Sequence, residues 1–385
     1  MNACFLLLGL LGHLALWVGG YNRVSASGWS YPRARLLRKV CLLIMAGWPL
    51  LHVLAVLAPW PSLAASVTGS SLDPFTSCYL VVCWLWLSWV LVHWCRRTLS
   101  LDGRFQPRIL DRQQVCLADQ TGKQLAQGPL ACWLGNIPGN QVLKLDVNRK
   151  QLDLPRCPQA LDGLTITHVS DIHISRHFTR EFYGQLIEQV NQLDSDVIAL
   201  TGDLADLDPV PDWVVELYGQ LTAPAGIYFI LGNHDVRKSQ PAEFRQALVK
   251  EGLVDLGKQV LRREIAGTHV DWIGNERPWS KADPGFRQSS PAVFSIVLAH
   301  SPDQFGWAQQ HQVDLVLAGH MHGGQIQVPG IGPIVGPSRH GVTYSEGCFR
   351  RGPTTMHVTR GAGGLVPLRL NCAPELSQLE IRRAT

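Results

Sequence analysis

The 385-residue chain contains no CxxC pair. Its ten Cys are scattered instead, which excludes a Cys-rich zinc finger and a disulfide framework and fits a reducing compartment. It has no run of Lys and Arg of the kind that marks a nucleic-acid groove, so no nucleic-acid partner is expected. Internal repeats and low-complexity tracts are missing as well. Charge is scarce at 17%, and two stretches, 3–21 and 40–58, hold no Asp, Glu, Lys or Arg. One connection, 60–77, lacks positive charge altogether.

These gaps shape the N-terminal quarter. A third apolar stretch, Cys78 to Trp94, carries Trp84, Trp86, Trp89 and Trp94, a residue type that favours membrane interfaces. Each stretch approaches the roughly 20 residues needed to cross a bilayer. The first lacks the basic leader of a signal peptide, so it reads as a retained span. Arg23, Arg33, Arg35, Arg38 and Lys39 separate the first two, and Arg96, Arg97, Arg104, Arg108 and Arg112 follow the third. Positive charge stays on the cytoplasmic side. The expected layout is a multi-pass anchor in the inner (cytoplasmic) membrane over 1–97 with three transmembrane helices. A linker over 98–140 and a cytoplasmic domain over 141–385 follow. His13, His52 and His93 lie in or near the spans and read as neutral. Val142 to Val147 is expected as an edge strand.

The remainder alternates short apolar strands with amphipathic helices, as in an α/β domain. Five strand-like runs end in residues that bind metals. Leu164 to Ser170 leads into Asp171-Ile-His173, and Asp196 to Thr201 into Gly202-Asp203. Gly226 to Leu231 leads into Gly232-Asn-His-Asp235, and Phe294 to Ala299 into His300. Val313 to Ala318 leads into Gly319-His-Met-His322. Strand alternation puts His320 and His322 on one side of the chain. The C-terminal ends of strands are where α/β sheets place their ligands.

The candidate ligands are Asp171, His173, Asp203, Asn233, His300, His320 and His322. Carboxylate, amide oxygen and imidazole together suit Mn, Fe or Zn better than Ca. Seven ligands exceed one tetrahedral site and suit two divalent ions, with one carboxylate shared. Two such ions polarise a phosphoryl group and stabilise entering and leaving oxygens. His234 remains as a candidate general acid, with Asp235 expected to orient its ring. Arg176 and His177 are candidates for substrate phosphates. Trp279, Lys281, Phe286 and Arg287 are candidates for an amphipathic cap.

Asp171-x-His173, Gly202-Asp203, Gly232-Asn-His-Asp235, His300 and Gly319-His-x-His322 resemble the calcineurin-like metallophosphoesterase family, in order and approximate spacing. The resemblance spans about Leu164 to Ile381. It implies a two-sheet β-sandwich flanked by helices, behind the α-helical transmembrane anchor. It implies that Asp171, His173, Asp203 and His322 hold one metal, and that Asp203, Asn233, His300 and His320 hold the other. Asp203 would bridge, and His234 would be the acid. Gly323-Gly-Gln-Ile-Gln327, Thr359-Arg-Gly-Ala-Gly-Gly364 and Arg369-Leu-Asn-Cys-Ala-Pro-Glu375 resemble the bacterial membrane-associated subgroup. That implies hydrolysis of a phosphodiester or pyrophosphate bond. A substrate lodged in the bilayer, such as UDP-2,3-diacylglucosamine, would explain an anchor. The alternatives are a phosphodiesterase or nuclease on a soluble nucleotide or nucleic acid, and a non-catalytic metal-binding scaffold.

Overall fold

The computed structural model describes residues 3–57, 74–117, 125–288 and 293–384. The chain divides into two compact units, 1–102 with 339–343, and 103–338 with 344–385.

The first unit holds three helices, α1 (Ala3–Ser25), α2 (Tyr31–Leu57) and α3 (Pro74–Thr98). The expected spans 3–21 and 78–94 fall within α1 and α3, and the second runs along α2 to residue 57, its last position lying outside the described residues. Among the described residues only Phe75–Thr98 is long and apolar enough to cross a membrane on its own measure. In α2 the basic residues Arg33, Arg35, Arg38 and Lys39 occupy the opening turns, ahead of the uncharged stretch. Polar side chains in apolar surroundings favour partners within the protein. His13 is buried, with Nδ1 2.5 Å from the Tyr79 hydroxyl and Nε2 3.2 Å from the Met45 carbonyl. One imidazole therefore ties α1 to both other helices. His93 lies against its own helix, Nδ1 2.9 Å from the Trp89 carbonyl.

The second unit is built on strands. In chain order they are β1 (Arg104–Phe105), β2 (Arg108–Cys116), β3 (Lys144–Leu154), β4 (Thr165–Val169), β5 (Val197–Leu200), β6 (Ile227–Phe229), β7 (Val254–Asp255), β8 (Val260–Ile265), β9 (Thr268–Asn275), β10 (Phe294–Ala299), β11 (Leu315–Ala318), β12 (Gln327–Val328), β13 (Gly332–Pro333), β14 (Gly347–Arg351), β15 (Thr354–Val358) and β16 (Glu375–Arg383). Helices α4 (Gly128–Gly135), α5 (Arg180–Asn191), α6 (Asp212–Gly219), α7 (Pro241–Lys250) and α8 (Phe305–Gln310) accompany them.

One sheet runs β2-β3-β16-β4-β5-β6-β7 and the other β1-β14-β15-β11-β10-β9-β8. The central strands β4 to β7 pair in parallel, as do β9, β10, β11 and β15. Parallel strands are covered on both faces and so read as unbroken apolar runs. Alternation then assigns each residue a layer. Val197 and Ala199 of β5 join Ile296 and Leu298 of β10 between the sheets. Ile198 and Leu200 face outward onto Phe182, Leu186, Val214 and Leu217 from α5 and α6. Val297 and Ala299 face the opposite way onto Phe305 and Ala308 of α8. The result is the expected sandwich flanked by helices. Helix α5 begins where the Thr179 hydroxyl accepts the Phe182 N–H at 3.3 Å, a side-chain cap.

Two local expectations change. The segment read as a linker supplies β1, β2 and α4, and β2 pairs along β3 from Arg108 to Cys116. The segment read as an edge strand is the start of β3, an interior strand between β2 and β16. The turn-rich stretches around Gly128 and Gly139 concealed both: they connect elements inside the domain rather than leading up to it.

Candidate metal centre

Every candidate ligand leaves the sheet at the C-terminal end of a parallel strand. Asp171 and His173 follow β4, Asp203 follows β5, and Asn233 follows β6. His300 follows β10, and His320 and His322 follow β11. Five of these residues have left-handed backbone: Asp171 (φ 54°), His173 (φ 50°), Asp203 (φ 53°), His320 (φ 68°) and His322 (φ 51°). Non-glycine residues seldom adopt that region, and strain of this kind collects at functional sites. Glycine lets the loops close. At Gly202, φ is 93°, and an added Cβ would lie 2.5 Å from the Gly232 nitrogen and 2.9 Å from His300 Nδ1.

The side chains converge. His173 Nε2 is 3.2 Å from His322 Nε2 and 3.5 Å from Asp203 Oδ2. His322 Nε2 is 3.3 Å from Asp171 Oδ1, and His300 Nε2 is 3.2 Å from Asp203 Oδ2. The rings of His300 and His320 sit 4.8 Å apart. Asp171, His173 and His322 form one group with the geometry to hold a metal ion, and Asp203, His300 and His320 form another. Asp171 Oδ1, Asn233 Oδ1, His300 Nε2 and His320 Nε2 are buried without a hydrogen-bond partner. Buried polar atoms are almost always paired, so four orphans just past the ends of β4, β6, β10 and β11 indicate a missing ligand.

The electrostatics agree. Burial alone would push the Asp171 and Asp203 carboxyls up, yet neighbouring imidazoles hold both well below the usual carboxylate range. Among the described residues neither carboxylate pairs with Lys or Arg. Burial lowers His322 to about 3 and carries His320 well below its ordinary value, leaving both neutral with a lone pair to donate. Burial would lower His300 too, but Asp203 and then Asp171 override it and raise it to about 9. Its Nδ1 lies 2.7 Å from the Thr201 carbonyl, so that nitrogen donates and Nε2 faces Asp203. A cation at Nε2 would satisfy the same carboxylates as the proton. Donor types, orphaned atoms and carboxylates without a Lys or Arg partner among the described residues therefore all fit divalent metal.

The neighbours of these ligands carry the corrections. Asp235 was expected to orient His234. Instead its carboxylate accepts the N–H groups of Leu204, Ala205 and Gly232, at 3.0 to 3.2 Å. Burial and then the Asp203 charge push it up to about 6, against those bonds. The carboxylate facing His234 is Asp206, with Oδ1 2.8 Å from His234 Nδ1. Asp206 also reaches His173 Nδ1 at 3.1 Å. Its only trace in the sequence was its place three residues after Asp203. Arg369, fully buried, donates to the His322 carbonyl at 2.7 Å. Of the expected cap, Trp279 lies edge-on to His300 and His320, with ring centres 5.4 and 4.7 Å away. Phe286 is buried in the core, while Lys281 and Arg287 are exposed. Arg176 is exposed and His177 half-buried.

Comparison with known proteins settles the family. The family model for calcineurin-like phosphoesterases matches residues 164–324. An uncharacterized metallophosphoesterase of Bacillus subtilis, YkuE, is 34% identical over 240 residues, covering 58% of this chain and 81% of that protein. The chain belongs to the calcineurin-like phosphoesterase family. It is a metal-dependent phosphoester hydrolase by membership. A Bos taurus transmembrane protein with a metallophosphoesterase domain is 28% identical, covering 62% of this chain and 57% of that one. The UDP-2,3-diacylglucosamine pyrophosphatase LpxG of Chlamydia trachomatis is 23% identical, covering 60% of this phosphoesterase and 88% of LpxG.

Proposed function

We propose that this chain is a membrane-anchored phosphoesterase using two divalent ions, Mn, Fe or Zn, to hydrolyse a phosphodiester or pyrophosphate bond. Its substrate is lipid-linked, of the UDP-2,3-diacylglucosamine type. The observation that carries the reading is the set of four orphaned buried atoms, Asp171 Oδ1, Asn233 Oδ1, His300 Nε2 and His320 Nε2, around two buried carboxylates. The lipid-linked substrate is supported by the likeness to LpxG and by the apolar helices of the first unit. The transmembrane relative supports the anchor. The Arg and Lys distribution supports three spans with the phosphoesterase domain in the cytoplasm.

Asp171, His173, Asp203 and His322 would hold one ion, and Asp203, Asn233, His300 and His320 the other. When bound, the ions supply positive charge where negative charge builds up on a reacting phosphoryl group. The chain's own residues do the rest. Donating Nδ1–H to Asp206 fixes the ring of His234 and leaves Nε2 to deliver a proton to the leaving oxygen. The His234 side chain is 28% exposed, so it can reach a substrate that the buried ligands cannot. Asp206 orients His173 and His234 together, through bonds of 3.1 and 2.8 Å.

The test offers UDP-2,3-diacylglucosamine to the detergent-purified full-length protein with Mn and identifies products by mass. UMP and a lipid monophosphate are expected. An intact lipid, alongside turnover of a simple phosphodiester, would keep the enzyme class and overturn the substrate.

A further inference from the structure

Three segments of the phosphoesterase domain expose large apolar side chains beside the metal centre. They are α4, the β12–β13 hairpin with its flanks (326–335), and the loop 361–368. None of them contains a charged residue, whereas about a quarter of residues in soluble domains are charged. Trp133 of α4 is 66% exposed and Ile331 of the hairpin 54%. Leu130, Ile334, Leu365 and Val366 are exposed as well.

Hydrogen bonds join the three into one rim. Asn140 Nδ2 donates to the Leu134 carbonyl at the end of α4 at 2.9 Å and to the Pro367 carbonyl of the loop at 3.0 Å. Leu370 pairs with both Asn140 and Ile326, linking the loop to the hairpin. The hairpin packs on the turn that carries His322: an added Cβ at Gly324 would lie 2.4 Å from Pro333 Cβ. Arg369, beside the loop, donates to the His322 carbonyl. The rim therefore borders the candidate metal centre.

Contiguous exposed apolar surface marks an interaction site. One feature of the chain selects the occupant. Only Leu99 to Gly103 separate the apolar helix α3 from β1, and these five residues reach at most about 18 Å. A domain tethered that closely cannot leave the surface in which α3 is embedded. An exposed Trp on an uncharged helix suits the interfacial layer of a bilayer. We infer that the rim of α4, 326–335 and 361–368 inserts into the lipid leaflet and brings a phosphoester at headgroup depth to the metal centre.

The inference rests on the membrane-anchored reading, and its test does not depend on substrate. Full-length protein is reconstituted in vesicles of phosphatidylethanolamine and phosphatidylglycerol. These contain a phospholipid with a photoactivatable diazirine in its acyl chain, and lipid adducts are mapped by mass spectrometry. Adducts are expected in 128–135, 326–335 and 361–368 as well as in α3. In the Trp133→Glu, Ile331→Glu double variant the rim adducts are lost and those in α3 remain. Adducts confined to the helical unit would overturn the inference. Failure to cleave UDP-2,3-diacylglucosamine would overturn the substrate and leave the labelling in place.

Discussion

Two buried polar clusters of the phosphoesterase domain differ in whether their atoms are satisfied. The cluster around Asp203 leaves four buried atoms without partners. The other lies between the sheets, on β3, β4, β15 and β16. There Lys150 Nζ donates to Glu375 at 2.7 Å, to Ser377 at 3.1 Å and to His357 Nε2 at 3.1 Å. His357 Nδ1 therefore carries its proton and donates to His168 Nδ1 at 2.8 Å, and His168 Nε2 donates to Thr201 at 2.9 Å. Asn148 completes the set, donating to Glu375 at 3.0 Å. Both clusters are rich in His and carboxylate, so composition does not separate them. Satisfaction does: a closed network holds the sheets together, and an open one awaits a ligand.

That comparison can be broken at several points. The largest effect is expected from Asp203→Asn, which should reduce bound metal and abolish turnover while leaving the thermal midpoint unchanged or raised. Retained activity would show that Asp203 is not shared between ions. His234→Ala should cut the rate by about 10²–10⁴-fold, the span of general acid catalysis, with metal content unchanged. Loss of metal would instead make His234 a ligand. On the closed side, Lys150→Met should cost about 3–5 kcal/mol of unfolding stability, because it strands the buried Glu375 carboxylate. Metal content should be unaffected in the fraction that folds. A neutral result in chemical denaturation would mean the network is dispensable.

The gentlest perturbation is a change of pH, which needs no substitution. Burial lowers His168 to about 3 and holds His357 well below its ordinary value. An unfolded His takes up its proton near pH 6.5, so below that the unfolded state binds protons that the folded state refuses. Stability should therefore fall by about 1.4 kcal/mol per pH unit for each of these His as pH drops below 6.5. The loss continues down to the folded value. A thermal midpoint that stays flat from pH 7 to 5 would contradict the assignment.

Much of this was legible in the sequence. The parallel strands read as uncharged apolar runs because both faces are covered, and the candidate ligands stand at their ends because that is where loops of the two sheets meet. The seven ligand candidates needed only residue type and position. Asp206 was not legible, because a carboxylate that acts through a second side chain has no motif of its own. Asp235 misled because adjacency in sequence is not adjacency of side chains: the turn at Gly232 aims His234 and Asp235 in different directions. Strands β1 and β2 were hidden by turn-rich sequence around them. The apolar rim escaped notice because its three segments are far apart in the chain and too short to register alone.

The most direct measurement is the metal content of the full-length protein, loaded with Mn and freed of excess ion, by elemental mass spectrometry. Two ions per chain are expected, and fewer than two in Asp203→Asn. One ion or none in the unaltered protein would show that the seven side chains do not form a two-ion site.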